Sequence, residues 1–351
     1  SPDFPRQATL RAPRGQECIT IIGRGEVLLT DLVLEAGEAG DKPCVYSNGA
    51  DVTLRRTAIK YAGQYHAVDA EDGRFTIRDT LIDASTPYAA LAVKGAAFDM
   101  SRSVIDNAPM AIDLTPHNVE SARIHEVFLL AQPSGAAFGP PTSGIAIRGF
   151  GQNGQVDVTR TIVCGFGAGL YVQGGNRVRF MDSQICNGAK GVVAAGGQTE
   201  VVASVIGVTN IGLQIAGGHL TITDNLFYGS AADWIFSEPG APRVSGGGNT
   251  FVSDRDFCEI QEREVSRGPF RRNGTELFYY GSPLGVCRRP PSNGVPREAE
   301  VCKRFERNPA AWTPYAPPLG TPEERRERHG PGVVISSPND RDRDRDRNRR
   351  N

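Results

Sequence analysis

The stretches VDVTRTIVC (156–164), RVRFMDSQIC (177–186), TEVVASVIG (199–207) and HLTITDNLFY (219–228) follow one another at nearly fixed spacing. Each places two short alternating runs of apolar residues around a small polar residue: Thr161, Ser183, Ser204 and Asn225. The steps between these residues are 22, 21 and 21, and Asn249 follows 24 later. A period of this length marks stacked structural repeats. Alternation of apolar and polar side chains marks half-buried strands.

Working outward, the same corner recurs at Asp31, Thr57, Thr80, Ser103 and near Val127, which makes ten turns in all. A further alternating run lies about twelve residues before most corners. It is often opened by glycine, as at Gly144, Gly169, Gly191 and Gly212. Each turn therefore holds three short strands, and about 22 residues leave no room for a crossover helix. The chain closes most simply as a coil in which each strand pairs in parallel with its copy in the next turn. Strands then stack about 4.8 Å apart, and ten turns make a rod of roughly 48 Å. A small polar side chain at the corner can hydrogen-bond its neighbours above and below.

The period, the glycine-led first strand and the polar corner over residues 18–256 resemble the right-handed parallel β-helix of the pectate-lyase-like superfamily. That resemblance implies an all-β solenoid whose first strands floor a binding groove walled by loops. Around it, residues 1–17, with Pro2, Pro5, Pro13, Arg6, Arg11 and Arg14, read as an N-terminal arm or cap. Residues 257–320 read as an irregular C-terminal cap, because a rod must cover its terminal strand edges. Within it, 296–312 has the apolar spacing of a short helix. Residues 321–351, containing DRDRDRDRNRR (340–350), read as a charged disordered tail. The segment 130–144, LAQPSGAAFGPPTSG, breaks the rhythm and reads as a long loop beside a first strand.

Composition narrows the function. The chain has 351 residues, 41 glycines, 7% aromatic residues and a net charge of −1, which suits a turn-rich β protein and gives no overall field to draw nucleic acid. No apolar run reaches the ~18 residues of a membrane-spanning helix. The start at Ser1 reads as a trimmed or processed product, and a secreted, periplasmic or cell-surface location is the expectation. The cysteines show no metal-binding spacing, so no cofactor is evident, although calcium is compatible with the groove. Oligomeric state is not encoded in any recognisable segment.

Alternation assigns two outward columns to the first strands. One reads Ala67, Ala92, Asp113, Ala146, Tyr171, Val193, Gln214, and the other Asp69, Lys94, Thr115, Arg148, Gln173. Asp69, Lys94, Asp113, Arg148 and Tyr171 thus gather on one floor, with His117 following the same strand. Lys94 and Arg148 suit an acidic polysaccharide or cell-surface glycan, since both can neutralise a uronate carboxylate. Abstraction of the proton beside that carboxylate needs a base, for which Tyr171, Lys94 and His117 are candidates. Asp69 and Asp113, two turns or about 9–10 Å apart, fit the spacing of an inverting hydrolase pair. The competing reading is a salt-bridge ladder that needs no ligand. Lys60, Asp83 and Asp106, on another face, read as such a ladder.

AIDLTPHN (111–118) resembles the DPHD motif of β-helix alginate C5-epimerases through Pro116 and His117, with Thr115 and Asn118 in place of its two acids. DWIF (233–236) resembles the DFIF of pectin methylesterases, although alternation turns Trp234 and Phe236 inward. Cys164 and Cys186 stack in adjacent turns, outward-facing, within disulfide range. Cys18 and Cys44 are placed to pair likewise, and two of Cys258, Cys287 and Cys302 to staple the cap. Two functions remain open. One is an exported carbohydrate-active protein working by lyase-type elimination or hydrolysis, and the other a non-catalytic surface, adhesion or structural β-helix that binds glycan or protein.

Overall fold

The computed structural model describes residues 8–37, 40–115, 121–131, 142–149, 154–207, 211–228, 235–237, 244–252, 270–272, 275–277, 285–288 and 332–336. Among these every regular element is a strand, and the strands wind as a right-handed parallel solenoid of about nine turns against the ten expected. The third strands form one sheet of twelve. The first and second strands belong to a second sheet of nineteen. No described helix is long and apolar enough to cross a membrane.

The core is one continuous column. Leu34, Ile59, Ile82, Ile105, Leu129, Val163, Ile185, Ile206 and Phe227 come from the third strands, and Leu91, Ile112, Ile145, Leu170, Val192 and Leu213 from the first. Each points inward at the same height as its copy one turn away. Glycine opens the first strand because it lies against this column: a Cβ on Gly169 would run into Ile185 and the carbonyl of Gly191. The polar corner works as expected. The Thr161 amide donates to Ser183 Oγ at 3.0 Å, Ser183 to Ser204 Oγ at 3.2 Å, Ser204 to Asn225 Oδ1 at 2.9 Å and Asn225 to Asn249 Oδ1 at 3.0 Å.

The corner holds a second column, one residue earlier. Asp31, Arg56, Asp79, Arg102, Glu126, Arg160, Asp182, Ala203 and Asp224 all take left-handed conformations, with φ between 45° and 56°. Asp31 therefore does not start the polar ladder. The register places Leu32, buried inside the rod, before Thr57 instead. The reason is charge: the left-handed column alternates acid and base, and Asp31 is its first member. Arg56 grips Asp31 with two hydrogen bonds of 2.7 and 2.6 Å, Arg102 grips Asp79 at 2.7 and 2.9 Å, and Arg160 meets Glu126 at 2.9 Å. On the other face the stack of Lys60, Asp83 and Asp106 is in register, and burial, with Asp83 alongside, raises the Asp106 carboxyl.

The ends extend past the repeat. Ala8–Arg11 in the expected arm pairs with Leu32–Ala36, and Gly285–Arg288 in the expected cap pairs with Asn249–Val252, both in parallel. Within the expected tail, Gly332–Ser336 forms a strand antiparallel to Glu26–Thr30 in an early turn. The rest of the tail, the predicted helix at 296–312 and residues 132–141 of the long loop lie outside the described residues.

Cys18 and Cys44 form the expected disulfide. Cys164 and Cys186 are in register but not bridged: Cys186 is disulfide-bonded and Cys164 is in no disulfide. Stacking in a parallel ladder thus brings two cysteines level without joining them. In the strand Ile235–Ser237, Ile235 pairs with Leu213 and Phe236 with Gln214. Trp234 lies outside the described residues.

Candidate functional site

The first-strand register differs from the sequence reading at one strand. Asp69 pairs with Ala92 and Glu71 with Lys94, so Asp69 stands in the column of Asp113 and Tyr171. The column expected to begin at Ala67 is shifted by two residues. A slip of two keeps every side chain on its own face, so alternation cannot detect it, whereas a slip of one would bury the charges. The shift brings Glu71, absent from the sequence reading, beside Lys94.

The five described candidates divide into two groups. Asp69 and Lys94 sit in a self-contained network. Lys94 Nζ lies 3.3 Å from Asp69 Oδ1 and 3.3 Å from Glu71 Oε1. Tyr65 donates to Asp69 Oδ2 at 3.2 Å, and Tyr46 to Glu71 Oε2 at 3.0 Å. The Asp69 Oδ1 contact is an ion pair outside hydrogen-bond geometry, so that buried oxygen accepts no hydrogen bond. Burial works against charge on Lys94, but Asp69 outweighs it and the ammonium group is held more firmly than usual. Tyr65 is raised by burial and by the Asp69 charge.

Asp113, Arg148 and Tyr171 instead line an open cavity of about 430 Å³, together with His66, Pro87, Tyr88, Met110, Thr142 and Gln173. Asp113 stands between Ala92 and Ala146 in its column, and those methyl groups leave the gap in which its carboxyl sits. Its Oδ1 is buried and has no hydrogen bond. Arg148 Nε lies 3.6 Å away, an ion pair without hydrogen-bond contact. Burial pushes the Asp113 carboxyl above the usual carboxylate range; Arg148, His66 and Lys94 oppose this without cancelling it.

His66 is the residue the sequence reading missed. It precedes the strand Val68–Glu71, and its Nδ1 lies 2.9 Å from the carbonyl oxygen of Ala89 in the next turn. A carbonyl only accepts, so Nδ1 carries a hydrogen, and in the neutral form of the ring the lone pair is on Nε2. The ring is held edge-on by Tyr65 at 4.7 Å and Tyr88 at 5.7 Å between centroids. Tyr88 is 52% exposed, and with Pro87 and Met110 it gives the cavity an apolar wall. The only signal in the sequence was the run Tyr65–His66 before a first strand. Its value depends on a carbonyl one turn away.

His117 lies outside the described residues. Among the described residues, no group of three or more His, Cys, Asp and Glu is placed to hold a metal. Lys94 lies between the carboxylates of Asp69 and Glu71 and offsets one of their two charges. No family model matches this chain, and no curated protein matches it.

Proposed function

We propose that this protein acts on an acidic polysaccharide at the cavity around Asp113, by elimination rather than hydrolysis. The observation that carries this reading is Asp113: a buried carboxyl, without a hydrogen bond on Oδ1, facing a cavity beside a loosely held arginine. A sugar ring packs its apolar face on Tyr88 and Met110. Its uronate carboxylate takes the guanidinium of Arg148, whose planar fork matches a carboxylate with two hydrogen bonds.

That pairing withdraws charge from the carboxylate and acidifies the proton on the adjacent ring carbon. His66 Nε2 accepts this proton. The C–O bond to the next sugar then breaks, and protonated Asp113 supplies a hydrogen to the departing oxygen. Burial raises this carboxyl and so favours its protonated form. Tyr171, held by its hydroxyl to Gln173 at 3.5 Å, orients the chain along the groove. Hydrolysis by inversion needs a second carboxylate for water, and Asp69 is committed to Lys94 and Tyr65. Export to a secreted, periplasmic or cell-surface location agrees with a polymeric substrate and with the Cys18–Cys44 disulfide.

The test is incubation with a panel of uronate polymers. Elimination yields unsaturated ends that absorb in the ultraviolet. His66→Ala, Asp113→Asn and Arg148→Ala are each expected to lower the rate at least 100-fold. New reducing ends without absorbance would assign hydrolysis instead. Binding without turnover, unchanged in Arg148→Ala, would favour a glycan- or protein-binding rod.

A further inference from the structure

A second cavity, of about 500 Å³, lies on the outer face of the second strands. Its floor is a column in register: Gln155, Arg177, Gln198 and His219 stand on successive turns, and all four are exposed. Arg179, Glu200 and Thr221 stand in the next column and form the far wall. On the near side the residues just before the floor raise no side chain. Gly154, Gly197 and Gly218 have none, and Asn176 is turned in, 1% exposed, with its amide donating to the Gln173 carbonyl. Gly197 and Gly218 take left-handed backbone, with φ of 66° and 74°, which glycine adopts without strain. The side of the cavity toward the first strands is therefore bare backbone.

Arg177 is the unbalanced charge here. Its Nε donates to Gln198 Oε1 at 3.3 Å, and among the described residues it meets no acid. Arg179, by contrast, donates to Glu200 at 3.2 Å, and beside the cavity Gln155 donates to Asp157 at 3.1 Å. Both terminal nitrogens of Arg177 are left to a ligand, and that planar end takes a carboxylate with two hydrogen bonds. The Gln155 oxygen and the Gln198 nitrogen add an acceptor and a donor on either side, which suits hydroxyls. A carboxylate flanked by hydroxyls is a uronate. Single-stranded nucleic acid calls for aromatic platforms, and none of the described lining residues is Phe, Tyr or Trp. An extended peptide adds to a sheet edge, whereas the strands of Arg177 and Gln198 are paired on both sides.

The two cavities are neighbours across the corner. Gln173 lines the one at Asp113 and Arg177 lines this one. Four residues of chain set their α-carbons at most about 14 Å apart. We propose that the cavity at Arg177 is a second subsite for the same acidic polysaccharide, which passes over the bare corner from the Asp113 cavity and sets a uronate carboxylate on Arg177. The class of ligand rests on the reading of the Asp113 site, but Arg177 takes no part in the chemistry there. An oligomer too short to cross the corner occupies only one of the two cavities.

Titration calorimetry of the full-length chain, carrying Asp113→Asn to prevent turnover, tests it with dimers and octamers of galacturonate, mannuronate and glucuronate. Adding Arg177→Ala should weaken binding of the preferred octamer about tenfold, and its advantage over the dimer should shrink by the same factor. Arg177→Glu should weaken it further. Arg177 is exposed and makes one hydrogen bond, so both variants should keep the fold, which circular dichroism checks. Octamer binding unchanged in folded Arg177→Ala would overturn the subsite, while a loss in Arg148→Ala would leave the reading of the Asp113 site standing. A loss in Arg177→Ala with none in Arg148→Ala would keep the subsite and overturn that reading. Failure of every octamer to bind would overturn both.

Discussion

Asp113→Asn distinguishes a working site from a structural ion pair, and the two readings predict opposite signs. The side chain of Asp113 is 19% exposed, its Oδ1 is buried without a hydrogen bond, and Arg148 is 3.6 Å away with 41% of its own side chain exposed. Burying a polar or charged group without its hydrogen bond costs about 1–3 kcal/mol. The half-solvated pair with Arg148 returns about 0–1 kcal/mol. Asparagine keeps the shape and leaves only a neutral group to desolvate. The substitution should therefore stabilise the fold by about 1 kcal/mol near pH 8. Burial raises the Asp113 carboxyl in the folded state, so over the window between the unfolded and folded values the folded chain holds a proton that the unfolded chain has lost. Stability from this group falls as pH rises through that window, and its cost is fully present above the folded value. Below the unfolded value of about 3.9 the cost is absent, and the gain from asparagine should vanish. Urea midpoints of both proteins, followed by circular dichroism at pH 3.5 and pH 8, read this directly. If Asp113→Asn lost 1 kcal/mol or more at pH 8, Asp113 would be a structural partner of Arg148, and its role as an acid would fail.

Three further substitutions probe the scaffold. Arg56→Ala should cost about 2 kcal/mol, because Asp31 is only 12% exposed and loses two short hydrogen bonds, whereas Arg160→Ala, whose side chain is 63% exposed, should cost under about 1 kcal/mol; the difference between their urea midpoints is the measurement. Ala203→Gly should gain about 0.5–1 kcal/mol in the same assay, since alanine at φ 47° carries the left-handed penalty and glycine does not. Asn225→Ala should cost about 3 kcal/mol by removing the acceptor of the Ser204 amide and the donor to Val201, and should speed hydrogen exchange in the turns on either side.

The fold was legible because a solenoid repeats its reasons. Thr161, Ser183, Ser204 and Asn225 each solve the same corner, and four copies make a signal that one would not. The site was half legible. Alternation put Asp113, Arg148 and Tyr171 on one face, and they do share a cavity. It misplaced Asp69 by two residues and overlooked Glu71, because register between turns depends on corner lengths that alternation does not carry. His66 was not legible, since its tautomer is set by the Ala89 carbonyl, a backbone atom with no trace in residue identity. The alternating charges from Asp31 to Asp182 were present in the sequence, but at a column one residue from the polar corner, and they emerge once the left-handed backbone stacks them.

That second column bears on how the groove is read. The molecule contains two arrays of acids and bases on successive turns, built from the same residue types. In the corner array, Arg56 and Arg102 meet their aspartates through two hydrogen bonds each, of 2.9 Å or less. In the groove array the pairs open to 3.3 Å at Lys94 and 3.6 Å at Arg148, and a carboxyl oxygen of Asp69 and another of Asp113 are left without hydrogen bonds. The same solenoid therefore closes such pairs where they serve as scaffold. Incomplete pairing is a cost, and a fold that satisfies acids at one corner has the geometry to satisfy them at another. At Lys94 the looseness is shared between two acids in a filled network. At Asp113 it coincides with flanking alanines, a neighbouring imidazole and open space. Of these two pairs, the one at Asp113 lacks a partner that a ligand can supply, which is why the cavity, and not the longer charged ladder, is the place to look for chemistry.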